Sequence, residues 1–265
     1  MERPVRKRRE PGMTPDPDTP FLLLDRSQAR RNITRLQAHV QALGATLRPH
    51  VKTAKSLDVA RLIFPDGPGP ITVSTLAEAE AFATAGYTDI LYAVGITPGK
   101  LRRVLALHTR GVDLVVLLDN AVQARAVAAA SAETGQAIPA LIEIDCDGHR
   151  GGIPPDSDQL LHLARTLVAG GAEVRGVMTH AGESYFCHTE AGRAAAAENE
   201  RRVATRAAER LRAAGHAAPV VSMGSTPTAL AARDLTGVTE VRAGVHVFLD
   251  LMMAGLGVCE TRAGS

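Results

Sequence analysis

The chain has 265 residues, 45% of them hydrophobic and 22% charged, a length that suits one α/β domain or barrel, or two small domains. Thirty basic side chains against 28 acidic ones leave a formal charge of +2, too small a bias to argue for a nucleic-acid partner. No apolar run reaches the length of about 18 residues that a membrane span needs.

The opening stretch, MERPVRKRREPGMTPDPDTP, has a basic patch with no apolar segment behind it, unlike a secretory signal. Its Pro, Arg and Asp content predicts a disordered tail over residues 1–17. From Phe21 onward, short aliphatic runs alternate with longer amphipathic ones. Strands are expected at 46–48, 71–74, 90–92, 114–118, 140–144, 174–178, 220–223 and 240–242. Helices are expected at 28–43, 76–85, 100–108, 121–133, 160–169 and 191–214, the last rich in alanine. Gly44, Gly86, Gly111, Gly135, Gly170 and Gly215 follow or close them, as suits helix C-termini. Apolar strands alternating with helices imply a parallel sheet under a helical cover. Eight of them favour a closed (β/α)8 TIM-type barrel over a doubly wound sheet, and no strand is followed by GxGxxG. In a barrel, functional residues belong immediately after the strands.

Lysine is scarce: positions 7, 52, 55 and 100, against 26 arginines. Lys52 follows the first strand in Leu47-Arg48-Pro49-His50-Val51-Lys52. Partial burial there lowers an amine's pKa and frees its lone pair for Schiff-base chemistry, although an ordinary surface lysine fits the position too. Lys55 is the weaker candidate, and His50 either orients a neighbour or is structural.

Arg150 ends the polar loop Glu143-Ile144-Asp145-Cys146-Asp147-Gly148-His149-Arg150, placed to bind a phenolate-like oxygen or another anion, or to pair with Asp145 or Asp147. No metal is assigned to Asp145, Asp147 and His149. After the sixth strand, Thr179-His180-Ala181-Gly182-Glu183-Ser184-Tyr185 offers His180 as a ring-stacking or proton-carrying group and Tyr185 as a phenol, with His188 nearby. After the seventh, Gly224-Ser225-Thr226-Pro227-Thr228 joins a flexible glycine to two hydroxyls at a helix start, which suits an anion and also suits a plain N-cap. The eighth ends in Arg242-Ala243-Gly244-Val245-His246, and barrels recurrently bind phosphate between these last two loops. A lysine opposite a phosphate cradle matches the shape and charge of pyridoxal phosphate.

Asp18-Thr19-Pro20, Arg48–Thr53, Thr179–Gly182 with Ser184-Tyr185, Gly224–Thr228 and Glu240–Gly244 together resemble the barrel domain of the fold-type III pyridoxal-phosphate enzymes. The resemblance is to the D-serine dehydratase and D-threonine aldolase-like group, relatives of alanine racemase, and runs from Asp18 to Cys259. It implies pyridoxal 5′-phosphate as cofactor, with Lys52 as the lysine that bonds to it and shuttles protons, and His180 beside its ring. Arg150 would lie at the ring oxygen, Tyr185 at the ring nitrogen, and Ser225, Thr226, Gly244 and Val245 at the phosphate. The implied activity is a lyase acting on D-β-hydroxy amino acids, by D-serine dehydration or D-threonine-type aldol cleavage. A racemase and a non-catalytic pyridoxal-phosphate-binding barrel remain open. Ala54 and His246 depart from the group's pattern, which usually has His and an aromatic or Asn there.

The resemblance places a barrel over 18–250 and the start of a C-terminal β-domain at 251–265. That domain carries the group's His and Cys metal ligands, so this chain is expected to be truncated, frameshifted or barrel-only, with no metal ligands of its own. The odd, widely spaced Cys146, Cys187 and Cys259 imply no disulfide framework and a cytoplasmic setting. A small D-amino acid is the expected partner, with no nucleic acid or membrane, and the group makes a homodimer possible.

Overall fold

The computed structural model describes residues 18–148 and 150–260, so the tail expected at 1–17 and His149 lie outside the described residues. In chain order the elements are α1 (Arg26–Ala42), β1 (Thr46–Pro49), α2 (Leu57–Ile63), β2 (Ile71–Val73), α3 (Leu76–Thr84) and β3 (Asp89–Gly95). They continue through α4 (Leu101–Thr109), β4 (Asp113–Leu118), α5 (Ala121–Thr134), β5 (Pro139–Ile144), α6 (Gln159–Ala169) and β6 (Glu173–Thr179). Then come α7 (Glu190–Ala213), β7 (Val220–Met223), α8 (Thr226–Ala231), β8 (Glu240–Ala243) and α9 (Leu251–Gly255).

All eight strands run parallel in the order β1-β8-β7-β6-β5-β4-β3-β2. A parallel bridge from His50 to Thr72 draws the two outer strands, β1 and β2, together, so the sheet is a nearly closed barrel. The strands fall where the apolar runs place them. α2 is an addition: seven residues, capped by Ser56, too short to announce itself by periodicity.

Local chemistry sets the helix ends. Asp25, Thr75, Asn120 and Thr189 cap α1, α3, α5 and α7 by accepting from first-turn amides. Gly135 closes α5 in the left-handed region at φ 67°. After α6 that role falls to Gly171 (φ 79°), not to Gly170, which has φ −92°.

The strands alternate between two apolar environments, as a two-residue period requires. Ile90, Val116, Leu118, Ile142 and Val177 join the large core beneath the helices. Leu91, Val115, Leu117, Leu141 and Met178 form a separate cluster inside the barrel. The barrel floor, by contrast, is ionic. Arg48 binds Glu240 and Asp89, each at 2.6 Å, tying β1 to β8 and to β3. Arg175 spans Asp113 and Glu173 beside them. Together they close the end of the barrel opposite its functional face.

Candidate active site

Stepping two residues up each strand from an axis-facing side chain leads to the barrel mouth. Leu91 leads to Ala93, Leu141 to Glu143, Met178 to His180, Ser222 to Gly224, and Glu240 to Arg242 and then Gly244. All of those second residues line one cleft, together with His50, Lys52, Arg150, Tyr185, Ser225 and Thr226. The cleft is open to solvent, and the space between its walls, mouth included, is about 520 Å³.

Lys52 sits in a short 3-10 turn, Val51–Thr53, that follows β1. Burial lowers the pKa of its amine, and the charges of Arg150 and Arg242 lower it further. Lys55 points elsewhere: its ammonium lies 3.2 Å from Glu78. His50 accepts the Lys52 amide at Nδ1 and meets the Ser74 hydroxyl at Nε2, 3.3 Å away. Burial and the neighbouring cations Lys52 and Arg242 push its pKa down to about 2, so the ring is neutral.

His180 donates from Nδ1 to the Gly224 carbonyl at 3.0 Å, leaving Nε2 with its lone pair. Burial, then Arg242, pushes its pKa down to about 4. The Tyr185 ring lies 6.4 Å away between centroids, tilted by 36°. Burial raises the Tyr185 phenol, which keeps its proton and can donate it. His188 is exposed and lies outside the cleft.

The loop after β7 is buried throughout. Ser225 caps α8 through a reciprocal capping box with Thr228, so the N-cap role is real. Its hydroxyl also meets Ser184 Oγ at 2.8 Å. Ser184 gives its own proton to the Ala181 carbonyl and Thr228 gives its own to Glu200, so Ser225 is the donor in its contacts with those two hydroxyls. Thr226 Oγ1 is buried with no hydrogen-bond partner among the described residues. Gly224 takes φ 130°, and a Cβ there would strike the Arg242 backbone. At Gly244 a Cβ would come within 2.7 Å of Thr53 Oγ1 and 2.9 Å of the His50 carbonyl.

The structure therefore brings Lys52, Arg150, His180, Tyr185, Ser225, Thr226 and Gly244 to one cleft. Val245 begins the turn after Gly244 and does not itself line the cleft. Two charged lining residues, Arg242 and Glu143, were assigned no role from sequence. Arg242, 4% exposed, donates to Ser222 Oγ at 2.8 Å and to the Thr179 carbonyl. Burial and nearby Asp119 raise the pKa of Glu143. Strand parity points to both, because each lies two residues beyond an inward side chain. Asp145 is engaged with the amides of Asp147 and Gly148, and Asp147 with that of Glu183. Among the described residues no three His, Cys, Asp or Glu side chains gather at metal-binding distances, and the three cysteines are free. None of the described helices is long and apolar enough to cross a membrane.

Comparison with known proteins agrees with this geometry. The D-threo-3-hydroxyaspartate dehydratase of Delftia sp. is 53% identical over 243 residues, which cover 91% of this chain and 64% of that enzyme. Its solved structure superposes with a TM-score of 0.91 at 52% identity, over 92% of this chain and 65% of the other. The D-serine dehydratase of Dictyostelium discoideum is 30% identical over 260 residues, 92% of this chain and 66% of that enzyme. The chain thus spans about two thirds of the length of these relatives. The model of the alanine racemase N-terminal domain matches residues 24–251, and the chain belongs to that family.

Proposed function

We propose that the cleft holds pyridoxal 5′-phosphate and that the protein is a lyase acting on D-β-hydroxy amino acids. The observation that carries this reading is the placement of Lys52 in the same cleft as the buried hydroxyls of Ser225 and Thr226 and the close-approach glycines 224 and 244. The residues fit the cofactor on two counts. Thr226 Oγ1 is a buried hydroxyl without a hydrogen-bond partner among the described residues, as a position that awaits an anionic oxygen should be. Gly224 and Gly244 line the cleft with bare main chain, because a Cβ at Gly224 would strike the Arg242 backbone and one at Gly244 would strike Thr53 and His50. The domain assignment follows, with 18–250 as the cofactor barrel and 251–265 as the segment leading out of it.

When bound, pyridoxal phosphate acts as an electron sink for a carbanion next to an amino group. The chain's own residues do the rest. Lys52 Nζ, its pKa lowered by burial and by two arginines, would be the group that holds the aldehyde, and its amine could carry a proton at that atom. Ser225 Oγ, Thr226 Oγ1 and the backbone at Gly244, with Val245 next to it at the start of the following turn, would hold the phosphate. Tyr185 keeps its phenolic proton and would offer it to the ring nitrogen, while Arg150 would offer its guanidinium to the ring oxygen. His180, with a bare Nε2, would lie beside the ring, where at neutral pH it can accept a proton but not give one.

The dehydratases among the relatives favour elimination of the β-hydroxyl over carbon–carbon cleavage. The test is incubation of the full chain with pyridoxal phosphate and D-threo-3-hydroxyaspartate, D-serine or D-threonine, with and without added divalent metal. Ammonia with a 2-oxo acid supports dehydration, and glycine from D-threonine supports aldol cleavage. With none of these products under any metal condition, the lyase reading fails.

A further inference from the structure

The pairing of β6 with β7 ends at Met178 and Ser222, just below the cleft. Beyond that point the two chain segments separate, and a carboxylate from a third element fills the gap. Glu200 is in the middle of α7 and is fully buried. Its Oε1 accepts from the Ala181 amide at 3.1 Å, the Gly224 amide at 2.9 Å and the Thr179 hydroxyl at 3.2 Å. Its Oε2 accepts from the Thr228 hydroxyl at 2.7 Å. Four donors from two loops nearly saturate one carboxylate, and each bond is strengthened by its charge.

The connections form a closed circuit. Thr179 and Ala181 flank His180, and both are held by Glu200. The His180 ring is bonded to the carbonyl of Gly224, whose amide is held by the same oxygen. On the other side, Thr228 gives its proton to Glu200 and accepts the Ser225 amide at 3.0 Å, which fixes the loop hydroxyls. Glu200 does not line the cleft, so it touches no ligand itself.

We propose that Glu200 is the positioning residue that sets His180 and the Ser225–Thr228 loop as one unit, so that the phosphate contacts exist only while this carboxylate is in place. The inference rests on reading the cleft as a pyridoxal-phosphate site. Its sign separates it from a simple charge effect. A carboxylate acting only as a nearby negative charge repels a phosphate, so neutralising it would tighten phosphate binding. A clamp has the opposite effect.

The test compares the affinity of the full chain for pyridoxal phosphate with that for pyridoxal, which lacks the phosphate, in the wild type and in Glu200→Gln. Both affinities are read from the visible absorbance of the bound aldehyde. In the variant the ratio of the two affinities is expected to fall about tenfold, as weakening several charge-assisted bonds predicts, while pyridoxal binding changes little. A retained or increased ratio overturns the role of Glu200. A wild-type ratio near unity overturns the phosphate-site reading itself, and the clamp with it. Should Glu200→Gln fail to fold, Thr228→Val removes one link from the circuit. Its ratio is then expected to fall, and an unchanged ratio overturns the proposal.

Discussion

The Nδ1 of His180 and the main-chain carbonyl of Gly224 are joined across 3.0 Å, and a carbonyl can only accept. The proton of this ring is therefore at Nδ1, and Nε2 is bare. At pH 7 the nitrogen spectrum of labelled histidine should show one ring of this tautomer that stays neutral until the pH nears 4, the value to which burial lowers it. A His180 signal protonated on both nitrogens at pH 6 would contradict the assignment.

The buried His246 and the part-buried His50 and His180 make stability depend on pH in one direction. His50 is lowered to about 2, and His180 and His246 to about 4, from an ordinary value near 6.5. Between those limits the unfolded chain binds protons that the folded one does not. The native state is thus at full strength above pH 6.5 and loses ground as the pH falls towards 4. Each ring is expected to cost about 1–2 kcal/mol between pH 7 and pH 5. Urea denaturation at a series of pH values measures this, and a midpoint unchanged from pH 7 to 5 would contradict it.

Arg150 lowers the pKa of Lys52 by direct charge repulsion. In Arg150→Ala the amine should rise toward its ordinary value. The pH at which Lys52 bonds half-maximally to pyridoxal should then move up. That titration, followed by visible absorbance, shows no displacement if the two groups are uncoupled.

At the opposite end of the barrel, Arg48 holds the nearly buried Glu240 and the half-exposed Asp89. Arg48→Ala leaves the Glu240 carboxylate buried without its partner, at a cost of about 3 kcal/mol in denaturation experiments. Aldehyde binding by the folded fraction should not change, because no cleft residue is lost. A stability change below about 1 kcal/mol would mean that the ionic floor contributes little.

Much of this was legible in the sequence because strands buried on both faces read as apolar runs, and barrel chemistry follows the strand ends. Lys52, His180 and Ser225 stand one to three residues after a strand, and Tyr185 six residues after β6. Arg242 and Glu143 were harder to assign, because their inward direction depends on which parity of β8 and β5 faces the axis. Glu200 was hidden differently. It is 20 residues along the chain from His180, in a helix whose Arg and Glu content reads as solvated. The signal was there nonetheless: Glu200 falls between Ala197 and Val203 on the same buried stripe of α7. A carboxylate on a helix's apolar stripe needs donors, and here the loops after β6 and β7 supply them.

The account stands on one amine and one anion cradle sharing a cleft, and titration of the full chain with pyridoxal phosphate tests that most directly. The wild type is expected to gain the absorbance of a lysine-bonded cofactor near about 420 nm, weakened by competing inorganic phosphate. Lys52→Ala should lose the band, and Lys55→Ala should keep it. A band of undiminished strength in Lys52→Ala, or one indifferent to phosphate in the wild type, would contradict the account.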